Sequence, residues 1–159
     1  MTIVCRILLL IALLYCIPLK AQNIILKKIP RVKTSIKIIN PSGNADSIKI
    51  VITLLNECKG SQKVYLLENA LSGSIKDSLN SPFKALLKSQ ISATLYTEKQ
   101  LDSAGKANIL NKGESLSREF YLTRLFVFLN DNQKITSGKY SVKISYFGNT
   151  SNKAFFYPK

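Results

Sequence analysis

Strict alternation of apolar and polar residues constrains this chain more than any other feature. From Lys139 to Tyr146, Tyr140, Val142, Ile144 and Tyr146 alternate with Lys139, Ser141, Lys143 and Ser145. Only an extended strand sends every second side chain to one face, so this run reads as a half-buried β-strand. Two earlier runs repeat the pattern. Val32, Thr34, Ile36 and Ile38 oppose Lys33, Ser35 and Lys37, and Ile48, Ile50, Ile52 and Leu54 oppose Lys49 and Thr53. Val51 and Leu55 make the second face of the latter run partly apolar, which marks a central strand.

Turn residues separate these runs: Asn40 to Asn44, Asn56 to Gly60, Ser137-Gly138 and Gly148 to Asn152. Lys63 to Leu67 reads as a short third strand and Glu68 to Ser81 as an irregular loop. Ser81 as N-cap with Pro82 at the first helical position predicts a brief helix ending near Gln90. Ile91 to Thr97 reads as strand and Gln100 to Ala107 as loop. Leu116 to Leu129 is too long for one ordinary strand and divides into a strand, an irregular stretch and a short apolar anchor. Lys153 to Tyr157 closes the pattern, with Pro158 tolerable at a sheet edge. About seven short strands with one short helix in a loop predict an all-β, antiparallel sandwich.

The N-terminus has a different make-up. Residues 1–21 read as a secretory signal peptide, with Arg6 followed by an apolar run from Ile7 to Leu19. That run is shorter than the roughly 20 residues a membrane-spanning helix needs, and Pro18 interrupts it. Cleavage after Ala21 would leave 138 residues beginning at Gln22: a lead-in over 22–31 closed by Pro30, then one domain over 32–159. The expected location is the periplasm, cell surface or exterior. An alternative is lipid anchoring through Cys16, against which Tyr15 stands where a small residue is wanted. Cys5 and Cys16 leave with the signal, so the mature chain holds Cys58 alone and no disulfide framework.

Histidine is absent, which removes Ser-His-Asp and Cys-His catalysis and every histidine-bearing zinc site. Ser-x-x-Lys occurs at Ser81–Lys84 and Ser103–Lys106 without companion motifs, and helix capping explains the first. Nine acidic residues scattered singly give no paired carboxylates, and Asn130, Asp131 and Asn132 suit a turn better than calcium. The sequence predicts no enzyme and no cofactor. Lysine and arginine number 23, for a net charge of +14 that falls to +12 on loss of Arg6 and Lys20. Such an excess favours polyanions at long range. Lys143 and Lys153, beside the aromatic residues Tyr146, Phe147, Phe155, Phe156 and Tyr157, form the candidate binding surface, with Tyr157 its aromatic member.

Asn111-Lys112-Gly113-Glu114-Ser115, followed by Gly138-Lys139-Tyr140-Ser141-Val142, resembles the paired turn-and-strand pattern of bacterial immunoglobulin-like sandwich domains. It is also similar to segments of the intracellular proteinase inhibitor family known as BsuPI. The Ala21-Gln22 junction resembles that of exported proteins of the Bacteroidetes group. The resemblance implies an immunoglobulin-like sandwich in which Gly113 opens a turn and Tyr140 enters the core. Three functions are then expected in order: an exported non-catalytic module binding an envelope protein or anionic polymer, with no specific nucleic acid; a proteinase inhibitor presenting a loop over Glu68 to Asn80; and a small hydrolase.

Overall fold

The computed structural model describes residues 24–25, 29–79, 85–87, 96–128 and 135–159. Among them are thirteen strands: β1 (Ile24–Ile25), β2 (Lys33–Ile39), β3 (Lys49–Leu55), β4 (Gln62–Val64), β5 (Leu71–Lys76), β6 (Ala85–Leu87), β7 (Tyr96–Thr97), β8 (Asn108–Leu110), β9 (Ser115–Tyr121), β10 (Phe126–Phe128), β11 (Tyr140–Tyr146), β12 (Asn149–Thr150) and β13 (Ala154–Phe156). Two short helices, α1 (Glu98–Ser103) and α2 (Leu122–Leu125), interrupt them.

Two sheets carry the architecture. One has the order β2-β3-β9; in the other β11 lies between β5 and the β12/β13 pair. All these pairings are antiparallel. The alternating runs explain the stacking. Ile48, Ile50, Ile52 and Leu54 from one sheet, and Val142, Ile144, Tyr146 and Phe156 from the other, are buried in a single core. Each such aliphatic side chain contributes roughly 1.5–3 kcal/mol by leaving water. The result is the all-β sandwich expected, with β3 central and Tyr140 buried as the alternation required.

The number of strands exceeds the expected seven because edges are broken into short pieces. Opposite β11, the pairs Ser145–Thr150 and Val142–Ala154 leave two residues of β11 facing three of the partner chain. The extra residue is a β-bulge. It frees the Asn152 side chain, whose amide accepts from the Ile36 N–H and donates to the Ile36 carbonyl at 2.8 and 3.0 Å. Pro41 and Gly43 carbonyls accept from the Tyr157 and Lys159 N–H groups. The C-terminal segment thus covers the edge of β2 that β3 leaves open.

A second link crosses between the sheets at Tyr65-Leu66. The buried Tyr65 N–H donates to the Tyr146 hydroxyl at 3.0 Å, and the Leu66 carbonyl accepts from Arg118 on β9 at 3.1 Å. Asn56, fully buried, closes the end of β3: its amide donates to the Gly60 and Leu110 carbonyls and accepts from the Cys58 N–H. Its backbone pairs with the 111–114 turn, where Gly113 has φ 84° and the Glu114 carboxylate accepts from the Asn111 N–H. The β11–β12 hairpin turns through Phe147 and Gly148, both at positive φ, the conformation a two-residue type I′ turn demands.

Several expectations are corrected. Within the Glu68–Ser81 segment, residues 68–70 form a 3₁₀ turn and residues 71–76 form β5, which pairs with β11 along its whole length. Its serines and glycine look loop-like by composition, yet Leu71 and Ile75 enter the core and Ser72 and Ser74 face outward. Gln100–Ala107 is not loop throughout, since α1 runs to Ser103 under a capping box formed by Thr97 and Gln100. Ala85–Leu87, expected within a helix, forms β6 against β10. The rest of that helix, the Ser81/Lys84 pair, most of the strand expected from Ile91, the Asn130–Asn132 turn and residues 1–21 lie outside the described residues. Ile24–Ile25 of the expected lead-in pairs in parallel with β7.

Candidate functional site

Strand parity decides what the β5-β11-β13 sheet shows to solvent. Tyr140, Val142, Ile144 and Tyr146 point inward, so Ser141, Lys143 and Ser145 point outward. Register then builds a row across three strands: Phe155 of β13 lies opposite Ser141, and Ser141 lies opposite Lys76 of β5. In the next outward row Lys143 lies opposite Ser74. Long side chains stand around short ones, leaving a shallow depression of about 300 Å³ with Ser74 and Ser141 beside Lys76, Lys143 and Lys153.

Phe155 extends this face. Its ring is exposed and lies between two ammonium groups, Lys139 at 5.3 Å and Lys153 at 5.4 Å from the centroid. Both distances fall within cation–π range. Among the described residues the ion pairs lie elsewhere: Lys33–Glu57, Lys49–Glu119, Lys63 with Glu98 and Asp102, and Arg124–Glu68. None of Lys76, Lys139, Lys143 and Lys153 belongs to one. The face therefore presents four uncompensated positive charges, an exposed aromatic ring and hydroxyl donors.

The structure brings the expected Lys143 and Lys153 together, but Tyr157 does not line the depression; its backbone is held to Pro41 instead. Of the other aromatic candidates, Tyr146 and Phe156 are buried and Phe147 sits in the hairpin turn. Lys76 and Lys139 were not anticipated. Lys139 is legible in the sequence as the first outward residue of the alternating run. Lys76 depends on the β5–β11 pairing, which no local pattern reveals.

A second charged cluster is fully compensated. The Tyr65 hydroxyl donates to Asp102 at 2.8 Å, and the Lys63 ammonium bonds the other carboxylate oxygen at 2.6 Å. The hydrogen bond from Lys63, then that from Tyr65, holds the Asp102 carboxyl below its ordinary value. Burial, helped by Asp102, pushes the Tyr65 phenol up to about 12. Buried Tyr146 is also pushed up to about 12, again chiefly by burial. These groups stay in one protonation state across neutral pH and offer no proton to exchange there.

Among the described residues there is no cluster of three metal-ligating side chains, and no helix is long and apolar enough to cross a membrane. Cys58 is a free thiol whose sulfur lies 3.4 Å from the Arg31 carbonyl. Ser103 donates to the Lys99 carbonyl, as a residue at a helix end commonly does. No family model matches the chain, and no curated protein matches its sequence.

Proposed function

We propose that the protein is an exported, non-catalytic module of the immunoglobulin-like sandwich type that binds an anionic polymer of the cell envelope on the outer face of β5-β11-β13. The observation that carries this reading is the gathering of Lys76, Lys139, Lys143 and Lys153 on one face, none of them in an ion pair among the described residues. Solvated lysines on a flat sheet attract a flexible polyanion without selecting a base sequence, and Phe155 adds a surface on which a sugar ring can stack. The apolar run at residues 7–19 supports export. The proteinase-inhibitor alternative is the weaker reading, because residues 71–76 of the segment it would present form β5, paired with β11.

The test is binding to polygalacturonate, with neutral dextran as control, between about 50 and 300 mM salt. Affinity should fall steeply with salt. A Lys76→Gln, Lys143→Gln, Lys153→Gln variant should bind about tenfold or more weaker with a shallower salt dependence. A Lys33→Gln, Lys37→Gln, Lys49→Gln variant, changed on the opposite outer face, should bind as the parent does. Salt-independent binding, or equal losses in both variants, would refute the assignment.

A further inference from the structure

Arg118 breaks the pattern of its own strand. On β9 it lies opposite Ile52, between Leu116 opposite Leu54 and Phe120 opposite Ile50. Residues directly opposite in an antiparallel pair share a face, and Ile50, Ile52 and Leu54 all face the core. A guanidinium therefore occupies an inward register position on the outermost strand of its described sheet. It extends past the sheet margin, with its charged group 5.2 Å from the Phe120 ring centroid and one nitrogen bonded to the Leu66 carbonyl.

It emerges at a cleft of about 390 Å³, on a different part of the molecule from the lysine face. Its apolar lining comes from Leu67, Leu101, Ala104 and Tyr96. Its charged lining is Lys106, Arg118 and Arg124 with a single carboxylate, Glu68, which is already paired with Arg124. Two positive charges remain, one of them the planar Arg118 fork, which beyond its bond to the Leu66 carbonyl has further N–H donors for a ligand. A charge that takes an inward register position on its strand is expected where function demands it, and this volume is within the range of small-molecule sites.

We infer that this cleft binds a small organic acid, with Arg118 gripping one carboxylate and the Leu67–Leu101–Ala104 wall holding an apolar body. The fork geometry of arginine matches the two oxygens of a carboxylate, and Lys106 supplies a second positive charge at longer range. The site is independent of polyanion binding by the lysine face and survives the failure of that reading.

Titration of the isotopically labelled protein with 3-phenylpropionate, followed by NMR, tests it. Saturable shifts are expected at Leu67, Leu101 and the Arg118 Nε–H group, with 3-phenylpropanamide binding about tenfold or more weaker because it lacks the charge. Arg118→Gln should abolish binding, Arg118→Lys should weaken it by loss of the fork, and Lys143→Gln should leave it unchanged. Should the Arg118 variants fail to fold, Ala104→Phe, at an exposed helix-capping position, fills the cleft with Arg118 intact and should also abolish binding. The inference is overturned by absence of saturable shifts up to about 10 mM acid, a millimolar affinity being near the weakest useful binding. Equal binding of the amide, equally tight binding of inorganic phosphate, or acid binding that persists in Ala104→Phe would also overturn it.

Discussion

On the outer face of β2-β3-β9, Lys49 reaches Glu119 across the sheet at 3.1 Å and Lys33 reaches Glu57 at 3.0 Å, while the Thr53 and Ser117 hydroxyls bond each other between them. On the outer face of β5-β11-β13, Lys76, Lys143 and Lys153 surround Ser74 and Ser141 and reach no carboxylate among the described residues. The same side chain is thus used in two ways. On the first face Lys33 and Lys49 are paired within the protein and Lys37 is not, whereas on the other all three are left to solvent and to whatever anion approaches. Nine acidic residues cannot match 23 basic ones, so pairing must be selective, and the lysines of this face are among those that the described pairs leave out. Net charge alone could not separate a uniformly solvated surface from this asymmetry.

Both faces rest on one frame, and the largest expected effect comes from disturbing it. Tyr146→Phe removes the acceptor of the buried Tyr65 N–H and should cost about 1–3 kcal/mol at neutral pH by urea denaturation. The parent should also lose stability in alkali. The folded Tyr146 phenol is pushed up to about 12 from an ordinary value near 10, so its contribution is complete below about pH 10 and disappears as pH rises through about 12. Tyr65 acts in the same sense. The variant should start lower and fall less steeply across that window. If fluorescence and amide-exchange probes showed one sheet unfolding while the other persisted, the two faces would no longer belong to one cooperative unit, and the comparison between them would fail.

A smaller effect should follow from making the second face resemble the first. Ser74 lies directly opposite Lys143, so Ser74→Glu installs a cross-strand ion pair there. A gain of about 0.5 kcal/mol is expected, since exposed pairs contribute little, together with weaker binding of polygalacturonate. Stability unchanged and binding unimpaired would mean that Lys143 is not part of a functional charge cluster. The smallest effect is a titration shift on the first face. Glu119→Gln removes the hydrogen bond and then the charge that hold the Lys49 ammonium above its ordinary pKa, so the Lys49 resonance should titrate closer to that of a free lysine. A value that does not move would show that the Lys49–Glu119 pair does not persist in solution.

The frame was legible where burial is periodic. The runs at Val32–Ile38, Ile48–Leu54 and Tyr140–Tyr146 fold as their alternation requires, and Val51 and Leu55 correctly place β3 at the centre of its sheet. β5 was hidden because Ser72, Gly73 and Ser74 make it look like a linker; its strand character comes from pairing with β11, a property of the partner as much as of itself. The same dependence governed the lysine face. Lys143 could be found from alternation in β11, and Lys153 from the closing strand, whereas Lys76 joins them only through a register set between distant segments. Arg118 was missed for a different reason. Within an apolar and aromatic stretch it passes for an ordinary outward charge until its opposition to Ile52 fixes the face it occupies.

The Asn152 clasp on Ile36 sets an order of events. The two residues are 116 positions apart, and the segment that covers the β2 edge is synthesised after every strand it protects. Until it arrives, the Ile36 N–H and carbonyl are open to any passing extended chain, and closing so long a loop is among the slower steps a small β-protein can require. Productive folding is thus tied to completion of the polypeptide, and a nascent chain held short of Asn152 remains vulnerable at the edge that the finished protein has sealed.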